Sequence, residues 1–343
     1  MTTRFHRDVW RDLKAGTRSD YLLALQGGGT FGAFSAGVLC RLLEDPSFPL
    51  PTRISGTSAG ALNAVVLADA LLKGKTPAEK RALAIKALKR LWDEDIPRVT
   101  MTQLSRFLSN FWADITLMHL PVATKLELLN NLFDLWVQTY RFYGGPVYKV
   151  PASVNPLREL VRHVDFAALR ASTEVRLYIA TTEAADPTRG RVFTNADLTA
   201  DVVVASGALP DLFEPVTIGG TAYMEGGYVH NPPIVDPIRD GATAVVLVRL
   251  NSDTFNPPKT SSEAEHYTLA ATFNQPLKRD IAWLNQHNAG TPKVAAFDLG
   301  LEGHHGFTPP QKRRVSVPLI QALFATGRQV AAAALAGDAL PLT

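Results

Sequence analysis

Short apolar runs along the chain alternate with longer segments in which apolar residues recur every three or four positions. The short runs predict strands, which fall at residues 21–25, 52–55, 175–182, 191–194, 242–250 and 294–297. The longer segments predict helices, which fall at residues 30–43, 61–72, 156–164, 199–208, 263–288 and 317–336. Because strands alternate with helices, the chain is predicted to form an α/β fold with a mainly parallel sheet covered on both faces.

Residues 77–150 interrupt this alternation, because they show helical periodicity and no strand-like run. We predict a helical, aromatic-rich insertion at this place. Six apolar side chains recur at helical spacing within it: Leu104, Phe107, Leu108, Phe111, Trp112 and Ile115. The hypothesis is that residues 101–143 cover the active site and contact lipid or a membrane surface, and ordinary core packing is the alternative.

The composition is that of a folded globular protein. The 343 residues carry a net charge of +3, with 20% charged and 46% hydrophobic residues, which excludes a disordered or collagenous chain. The one tight basic cluster, at residues 312–314, is too small to predict nucleic-acid binding. We predict a single domain over residues 1–343, in which residues 241–343 form a C-terminal strand and helix region.

No targeting or membrane-spanning segment is predicted. Residues 1–14 lack the apolar stretch of a signal peptide, and Cys40, the one cysteine, has no partner for an intrachain disulfide. The most apolar stretch, residues 59–72, contains Asn63 and Asp69 and is shorter than the roughly 20 residues that span a bilayer. These features predict a cytoplasmic location, with peripheral membrane contact through the insertion.

A glycine-rich loop follows the first predicted strand. Gly27, Gly29 and Gly32 fit the dinucleotide-binding pattern G-x-G-x-x-G, which makes a nicotinamide enzyme one hypothesis. The second strand, however, ends in I-S-G-T at residues 54–57, without the carboxylate that would bind a ribose. A Walker loop is excluded because Ala33 and Phe34 stand where lysine and serine or threonine are needed.

The pentapeptide G-T-S-A-G at residues 56–60 lies between the second predicted strand and a helix, as the nucleophile elbow G-x-S-x-G does. Gly56 and Gly60 allow the sharp turn that exposes the hydroxyl of Ser58. The alternative is a turn of small residues that packs a helix on the sheet. If Ser58 is a nucleophile, the amides of Gly27–Gly29, at a helix N-terminus, suit the oxyanion that forms on the substrate.

The base that would activate Ser58 is less obvious. Of the eight histidines, His304 and His305 in a glycine-flanked turn are the best candidates for a triad, although no histidine has a distinctive context. A metal site is not expected, because the sequence has no H-E-x-x-H and no cysteine-based spacing.

Four blocks together resemble the patatin-like phospholipases, in particular the bacterial members. They are G-G-G-T-F-G at residues 27–32, G-T-S-A-G at 56–60, A-S-G-A-L-P at 205–210, and E-G-G followed by N-P-P at 225–233. They occur in the family's order within residues 21–240, which makes the set far more specific than any single block. The resemblance implies a three-layer α/β/α patatin-like fold with a mainly parallel central sheet and a helical insertion.

The resemblance also implies a serine lipid acyl hydrolase that uses a Ser-carboxylate dyad, without metal or cofactor. By position, Ser58 is the nucleophile, Glu225 is the base, and Gly27, Gly28, Gly29 and Thr30 belong to the oxyanion hole. The substrate implied is a phospholipid or another carboxylic ester of a lipid.

Two positions depart from the family pattern. Glu225 stands where the family has aspartate, and its side chain is longer by one C–C bond, about 1.5 Å. A displacement of about 1 Å can lower a rate about a hundredfold, so a patatin-fold lipid-binding or scaffold protein with weak or no catalysis is the alternative function. Phe31 stands where many members have arginine or lysine, which favours a plain carboxylic ester over a phospholipid.

Overall fold

The computed structural model describes residues 11–13, 20–109, 149–251, 257–259, 261–287, 295–301 and 309–336, with a few isolated positions outside these ranges. The strands are β1 (Tyr21–Leu25), β2 (Arg53–Gly56), β3 (Arg176–Glu183), β4 (Gly190–Thr194), β5 (Val216–Ile218), β6 (Thr221–Glu225), β7 (Ala244–Arg249) and β8 (Ala295–Gly300). The α-helices are α1 (Gly32–Leu43), α2 (Ala59–Lys73), α3 (Pro77–Arg90), α4 (Ile96–Ser109), α5 (Pro156–Leu160), α6 (Phe166–Ala171), α7 (Ala200–Ser206), α8 (Val235–Arg239), α9 (Ser261–His287) and α10 (Val317–Ala336). Short 3-10 turns cover Gly29–Phe31, Gly226–Tyr228 and Pro309–Arg313.

These strands form one sheet in the order β5-β6-β3-β2-β1-β7-β8, and β4 also pairs with β3. The strands β3, β2, β1, β7 and β8 are parallel, whereas β4 and β6 run antiparallel to β3. The pairing of Leu25 with Gly56 brings the ends of β1 and β2 to the same edge. The predicted mainly parallel sheet is therefore confirmed, and the glycine loop and the elbow leave it side by side.

Helices cover both faces of the sheet, because alternate side chains of each buried strand point to opposite sides. On β1, Leu23 and Leu25 belong to the larger core cluster, which also contains α1, α2 and α10. Leu22 and Ala24 belong to a second cluster with residues of α8 and α9 such as Leu277. The result is the three-layer α/β/α arrangement that the sequence predicted.

Helix α10 packs closely along α1. A Cβ on Gly37 would lie 2.1 Å from the carbonyl oxygen of Phe324, and a Cβ on Gly327 would lie 2.1 Å from that of Phe34. Among the described residues α10 is the helix whose length and hydropathy would suit a membrane span, with 44% of its most apolar window buried inside the fold. The sequence had instead singled out residues 59–72 as the most apolar stretch. The close contact with α1 is that of a core helix.

The first part of the predicted insertion is helical, as expected. After α3, a π-helical turn at Leu91–Asp95 leads into α4. Trp92 of this turn is buried and donates from Nε1 to Oδ1 of Asn63, 2.8 Å away, while Nδ2 of Asn63 donates to the carbonyl of Gly32. These bonds tie the insertion to the helix that follows the glycine loop. Phe111, Trp112 and Ile115 lie outside the described residues, so the lipid-contacting stripe stays a prediction.

Candidate active site

Ser58 occupies a strained backbone position between β2 and α2. Its φ of 54° and ψ of −122° are unusual for a residue with a side chain. The turn is tight enough that a Cβ on Gly60 would lie 2.1 Å from the carbonyl oxygen of Leu25, and one on Gly56 would lie 2.5 Å from that of Gly60. The two glycines predicted for the elbow are therefore required by close backbone contact, and the turn directs Ser58 into a cleft.

The glycine loop lies on one side of this cleft. The amide of Gly27 donates to Oδ1 of Asn231, 2.8 Å away, whereas the amides of Gly28 and Gly29 have no acceptor among the described residues. Gly29 has a φ of 56°, and a Cβ there would lie 2.1 Å from the carbonyl oxygen of Lys312. The geometry thus leaves Gly28 and Gly29, rather than Gly27, as the amides able to bind an oxyanion.

The side chain of Thr30 has a structural contact, and the place of its amide in the oxyanion hole stays a prediction. Thr30 is buried, and its hydroxyl donates to the carbonyl of Arg314 at 3.0 Å. Together with the contact between Gly29 and Lys312, this bond fixes the glycine loop against the 3-10 turn at Pro309–Arg313 and the residue after it. Thr30 therefore holds the loop in place through its side chain.

Glu225 ends β6 at the floor of the cleft and is 2% exposed. Its Oε1 accepts from the amide of Gly227 at 3.0 Å, while its Oε2 is buried without a hydrogen-bond partner of normal geometry among the described residues. Burial raises the pKa of Glu225 to about 8, and interactions with the Gly227 amide and the Ser58 side chain oppose this rise. Glu225 and Ser58 thus line the same cleft, and the pKa of Glu225 lies close to neutral pH.

The segment at residues 205–210 connects the serine to the carboxylate. Oγ of Ser206 accepts from the amide of Ser58 at 2.9 Å, and the carbonyl of Ala208 accepts from the amide of Glu225 at 3.0 Å. Between them, a Cβ on Gly207 would lie 3.8 Å from Oγ of Ser58. The third sequence block therefore positions both predicted dyad residues through its backbone and one hydroxyl.

The cleft has a cavity volume of about 90 Å³. One side is polar and contains the glycine loop, Ser58 and Glu225, and the other side is apolar and comes mainly from α9. The lining residues are Gly27, Gly28, Gly29, Ser58, Leu209, Glu225, Asn231, Asn251, Leu269, Ala270, Phe273, Lys312 and Arg313.

Sequence reasoning missed three polar residues of this region. Asn231 was noted only as part of the N-P-P block, and Lys312 only as part of a surface cluster. Gln26 is fully buried and its Oε1 accepts from the amides of Leu250 and Asn251 at 2.7 and 2.9 Å. A polar residue at the end of an apolar strand, as Gln26 is, was the one available signal.

The alternative bases His304 and His305 stay a prediction. His304 and His305 lie outside the described residues. His230 is described, and it is not among the residues that line the cleft; burial lowers the pKa of its ring. Within the described ranges, no three histidine, cysteine, aspartate or glutamate side chains come together as metal ligands would.

Comparisons with known proteins agree with the sequence motifs. A family model described as patatin-like phospholipase matches residues 23–238, a range that includes the glycine loop, the elbow and Glu225. The crystal structure of VipD from Legionella pneumophila is similar over 93% of this chain and 67% of that one, with 16% identity and a TM-score of 0.41. The crystal structure of the type III effector protein ExoU is similar over 94% of this chain, with 16% identity and a TM-score of 0.33.

This chain spans 54% of the ExoU chain, about half of its length. A comparison with curated proteins gave no match.

Proposed function

Because the chain belongs to the patatin-like phospholipase family, we propose that it is a metal-independent serine hydrolase of lipid acyl esters that reacts through an acyl-enzyme on Ser58. The observation that carries this proposal is the environment of Glu225. Its carboxylate is buried at the cleft beside Ser58, and its Oε2 has no hydrogen-bond partner of normal geometry among the described residues. A carboxylate oxygen in this position can accept the proton of the serine hydroxyl.

In the first half-reaction, Oγ of Ser58 forms a bond to the carbonyl carbon of the ester while its proton passes to Oε2 of Glu225. The carbonyl oxygen becomes an oxyanion, and the amides of Gly28 and Gly29 are the donors available to stabilise it. The C–O bond to the alcohol then breaks, and Glu225 returns the proton to the leaving oxygen. The acyl group remains as an ester on Ser58.

In the second half-reaction, water attacks the acyl-enzyme and gives a proton to Glu225. The resulting tetrahedral intermediate uses the same two amides. When it collapses, the bond between the acyl carbon and Oγ of Ser58 breaks, Glu225 returns the proton to Oγ, and the fatty acid is released. No histidine is needed, because a single carboxylate serves as base and acid in turn.

The apolar side of the cleft suits an acyl chain. Leu269, Ala270 and Phe273 of α9 line the cavity together with Leu209, so an alkyl chain bound there would be removed from water. We extend the proposal to peripheral contact with a lipid surface through residues 101–143, because apolar side chains recur there at helical spacing.

The second candidate is a lipid-binding scaffold with weak catalysis. The observation that favours it is the pKa of Glu225, about 8, because only about one molecule in ten would then have an ionised carboxylate at pH 7. A protonated Glu225 cannot accept the serine proton.

Labelling with a fluorophosphonate probe, together with nitrophenyl ester hydrolysis at pH 7 and pH 9, separates the two functions. A hydrolase is labelled and turns over faster at pH 9. Absence of labelling and of turnover at both values would contradict the hydrolase and leave the scaffold.

A further inference from the structure

Lys312 brings a cation to the cleft from outside the family-matched residues 23–238. Its ammonium donates to Oδ1 of Asn251 and lies 5.4 Å from the centre of the Phe31 ring. Both Lys312 and Asn251 line the cleft that contains Ser58 and Gly28. Many family members have a positive charge at the position of Phe31. In this chain a positive charge lies next to the Phe31 ring, but it comes from Lys312, in a distant part of the sequence.

This ammonium is poorly compensated. Among the described residues it makes no ion pair with a carboxylate, whereas the neighbouring Arg313 pairs with Asp211 at 2.7 Å. The residue as a whole keeps some contact with solvent, but the ammonium is surrounded by protein, and this desolvation lowers the pKa of Lys312 to about 8. A desolvated cation without a counter-ion is costly, and an anion in the cleft would offset the cost.

The backbone and the side chain of Lys312 have separate roles. The carbonyl of Lys312 lies against Gly29, and the carbonyl of Arg314 accepts from the hydroxyl of Thr30. These backbone contacts position the glycine loop whatever the side chain is. Among the described residues, the side chain adds the bond to Asn251 and the contact with Phe31, so a change of side chain tests the charge itself.

We propose that Lys312 is a specificity-determining residue that binds a phosphodiester next to the scissile ester, so that the enzyme prefers acyl glycerophosphodiesters to uncharged acyl glycerols. This inference rests on the proposed hydrolase. The ammonium has three donors and uses one on Asn251, so a phosphate oxygen could accept from one of the two remaining donors. This proposal replaces the interpretation that Phe31 favours a plain carboxylic ester over a phospholipid.

The test compares phosphatidylglycerol with diacylglycerol of the same acyl chains, in the same uncharged detergent micelles. For Lys312→Gln we expect kcat/KM to fall about tenfold on phosphatidylglycerol, the effect of one lost charge-assisted hydrogen bond, and less than twofold on diacylglycerol. Lys312→Arg should retain most of the preference. Arg314→Gln removes a neighbouring charge whose side chain does not line the cleft, and it should leave the preference unchanged.

The ratio of the two rates also has a pH dependence. The other charged groups at the cleft are Glu225 from β6 and Arg313 with its partner Asp211, while α9 contributes the uncharged Leu269, Ala270 and Phe273. Ionisation of Glu225 affects both substrates alike and cancels in the ratio. The wild-type preference should therefore decline above pH 8 as the ammonium loses its proton, and the ratio for Lys312→Gln should stay flat.

A binding measurement makes the outcome independent of hydrolysis. Calorimetry is done with dodecylphosphocholine and with dodecyl maltoside, each below its critical micelle concentration. Lys312→Gln should bind dodecylphosphocholine more weakly than wild type does, and should bind dodecyl maltoside as tightly as wild type does. Equal losses on both lipids, or tighter binding of inorganic phosphate than of dodecylphosphocholine, would overturn the role of Lys312. If wild type hydrolyses no ester while phosphodiester binding still depends on Lys312, the hydrolase fails and the binding site stands.

Discussion

The amide of Gly27 donates a 2.8 Å hydrogen bond to Oδ1 of Asn231, which lies 204 residues further along the chain. Nδ2 of Asn231 donates in turn to the carbonyl of Phe273 in α9, and the carbonyl of Asn231 accepts from Gln26. One buried amide side chain therefore links the glycine loop to the apolar side of the cleft. This link therefore helps to hold the loop that carries Gly28 and Gly29 at the cleft.

Replacing Asn231 should disturb the glycine loop more than it disturbs substrate binding. Asn231→Ala leaves the amide of Gly27 buried without its acceptor, so we expect kcat to fall about ten- to a hundredfold with little change in KM. Steady-state kinetics on a nitrophenyl ester measures both constants. Asn195→Ala removes an acceptor for the amide of Leu177 at the start of β3, outside the lining of the cleft, and should lower stability without this loss of kcat. A pure rise in KM for Asn231→Ala would contradict the role.

The contribution of Asn231 illustrates what the sequence could not provide. Hydrophobic periodicity predicted β1 and its neighbours, because buried parallel strands are continuous apolar runs and the glycine punctuation marks their ends. The contact between Gly27 and Asn231 depends instead on how segments far apart in the chain meet. Local sequence patterns contain no information about contacts between distant segments, and an asparagine before two prolines indicates only a turn.

The same limit applies to β5 and to Lys312. Three residues, Val216–Ile218, are too short for a periodic signal, so the hairpin partner of β6 was not predicted. Lys312 belongs to a basic cluster, a pattern that is typical of a solvated surface. Its ammonium lies over the ring of Phe31 because of the tertiary fold, which the local sequence does not indicate. Motif order, by contrast, predicted the positions of Ser58 and Glu225 at one cleft, because short motifs record the local turns that the chemistry needs.

Ser58→Ala should abolish ester hydrolysis and fluorophosphonate labelling while the protein stays folded. The loss follows because the hydroxyl is the proposed nucleophile, and alanine keeps the same strained backbone with one atom fewer. Mass spectrometry of the labelled protein and a melting curve measure the two effects. Ser47→Ala, at an exposed serine after α1, is the control and should label normally. Full activity of Ser58→Ala would refute the mechanism.

Chelation should leave the activity unchanged. The sequence offers no zinc-ligand spacing and no EF-hand loop, and the proposed steps use only Ser58, Glu225 and backbone amides. The measurement is the rate of ester hydrolysis before and after dialysis against EDTA. Loss of activity that calcium or zinc restores would show that a metal takes part.

Polar substitutions at Phe111 and Trp112 should lower activity on long-chain esters more than on short-chain ones. The reason is that only a long acyl chain would reach a lipid-contacting stripe beyond the cleft. Rates over a series of nitrophenyl esters, together with melting temperatures, test this expectation. Equal losses along the series with a lower melting temperature would indicate core packing instead.

The raised pKa of Glu225 predicts how activity depends on pH. The carboxyl group must be ionised to accept the proton of Ser58, so kcat/KM should rise about tenfold per pH unit below pH 8 and level off above it. The kcat/KM of Glu225→Gln should be at least about a thousandfold lower than that of wild type at every pH, because the amide cannot act as a base. Glu225→Asp should lose tens to a hundredfold, since its shorter side chain withdraws the carboxylate by about 1.5 Å from a site adapted to glutamate. Glu214→Gln, at an exposed glutamate, is the control.

The same raised pKa predicts that the stability of the protein falls as pH rises, whereas its activity rises. The unfolded carboxyl titrates near 4.5 and the folded one near 8, so between these values the folded state retains a proton that the unfolded state has released. The contribution of Glu225 to stability is therefore present below about pH 4.5 and is lost as pH rises towards 8. Glu225→Gln resembles the protonated side chain and does not titrate, so its melting temperature should match wild type at pH 5 and exceed it by several degrees at pH 9. If Glu225→Gln is instead less stable than wild type at pH 9, the ionised carboxylate is well solvated or paired, and a buried base with a pKa of about 8 is contradicted.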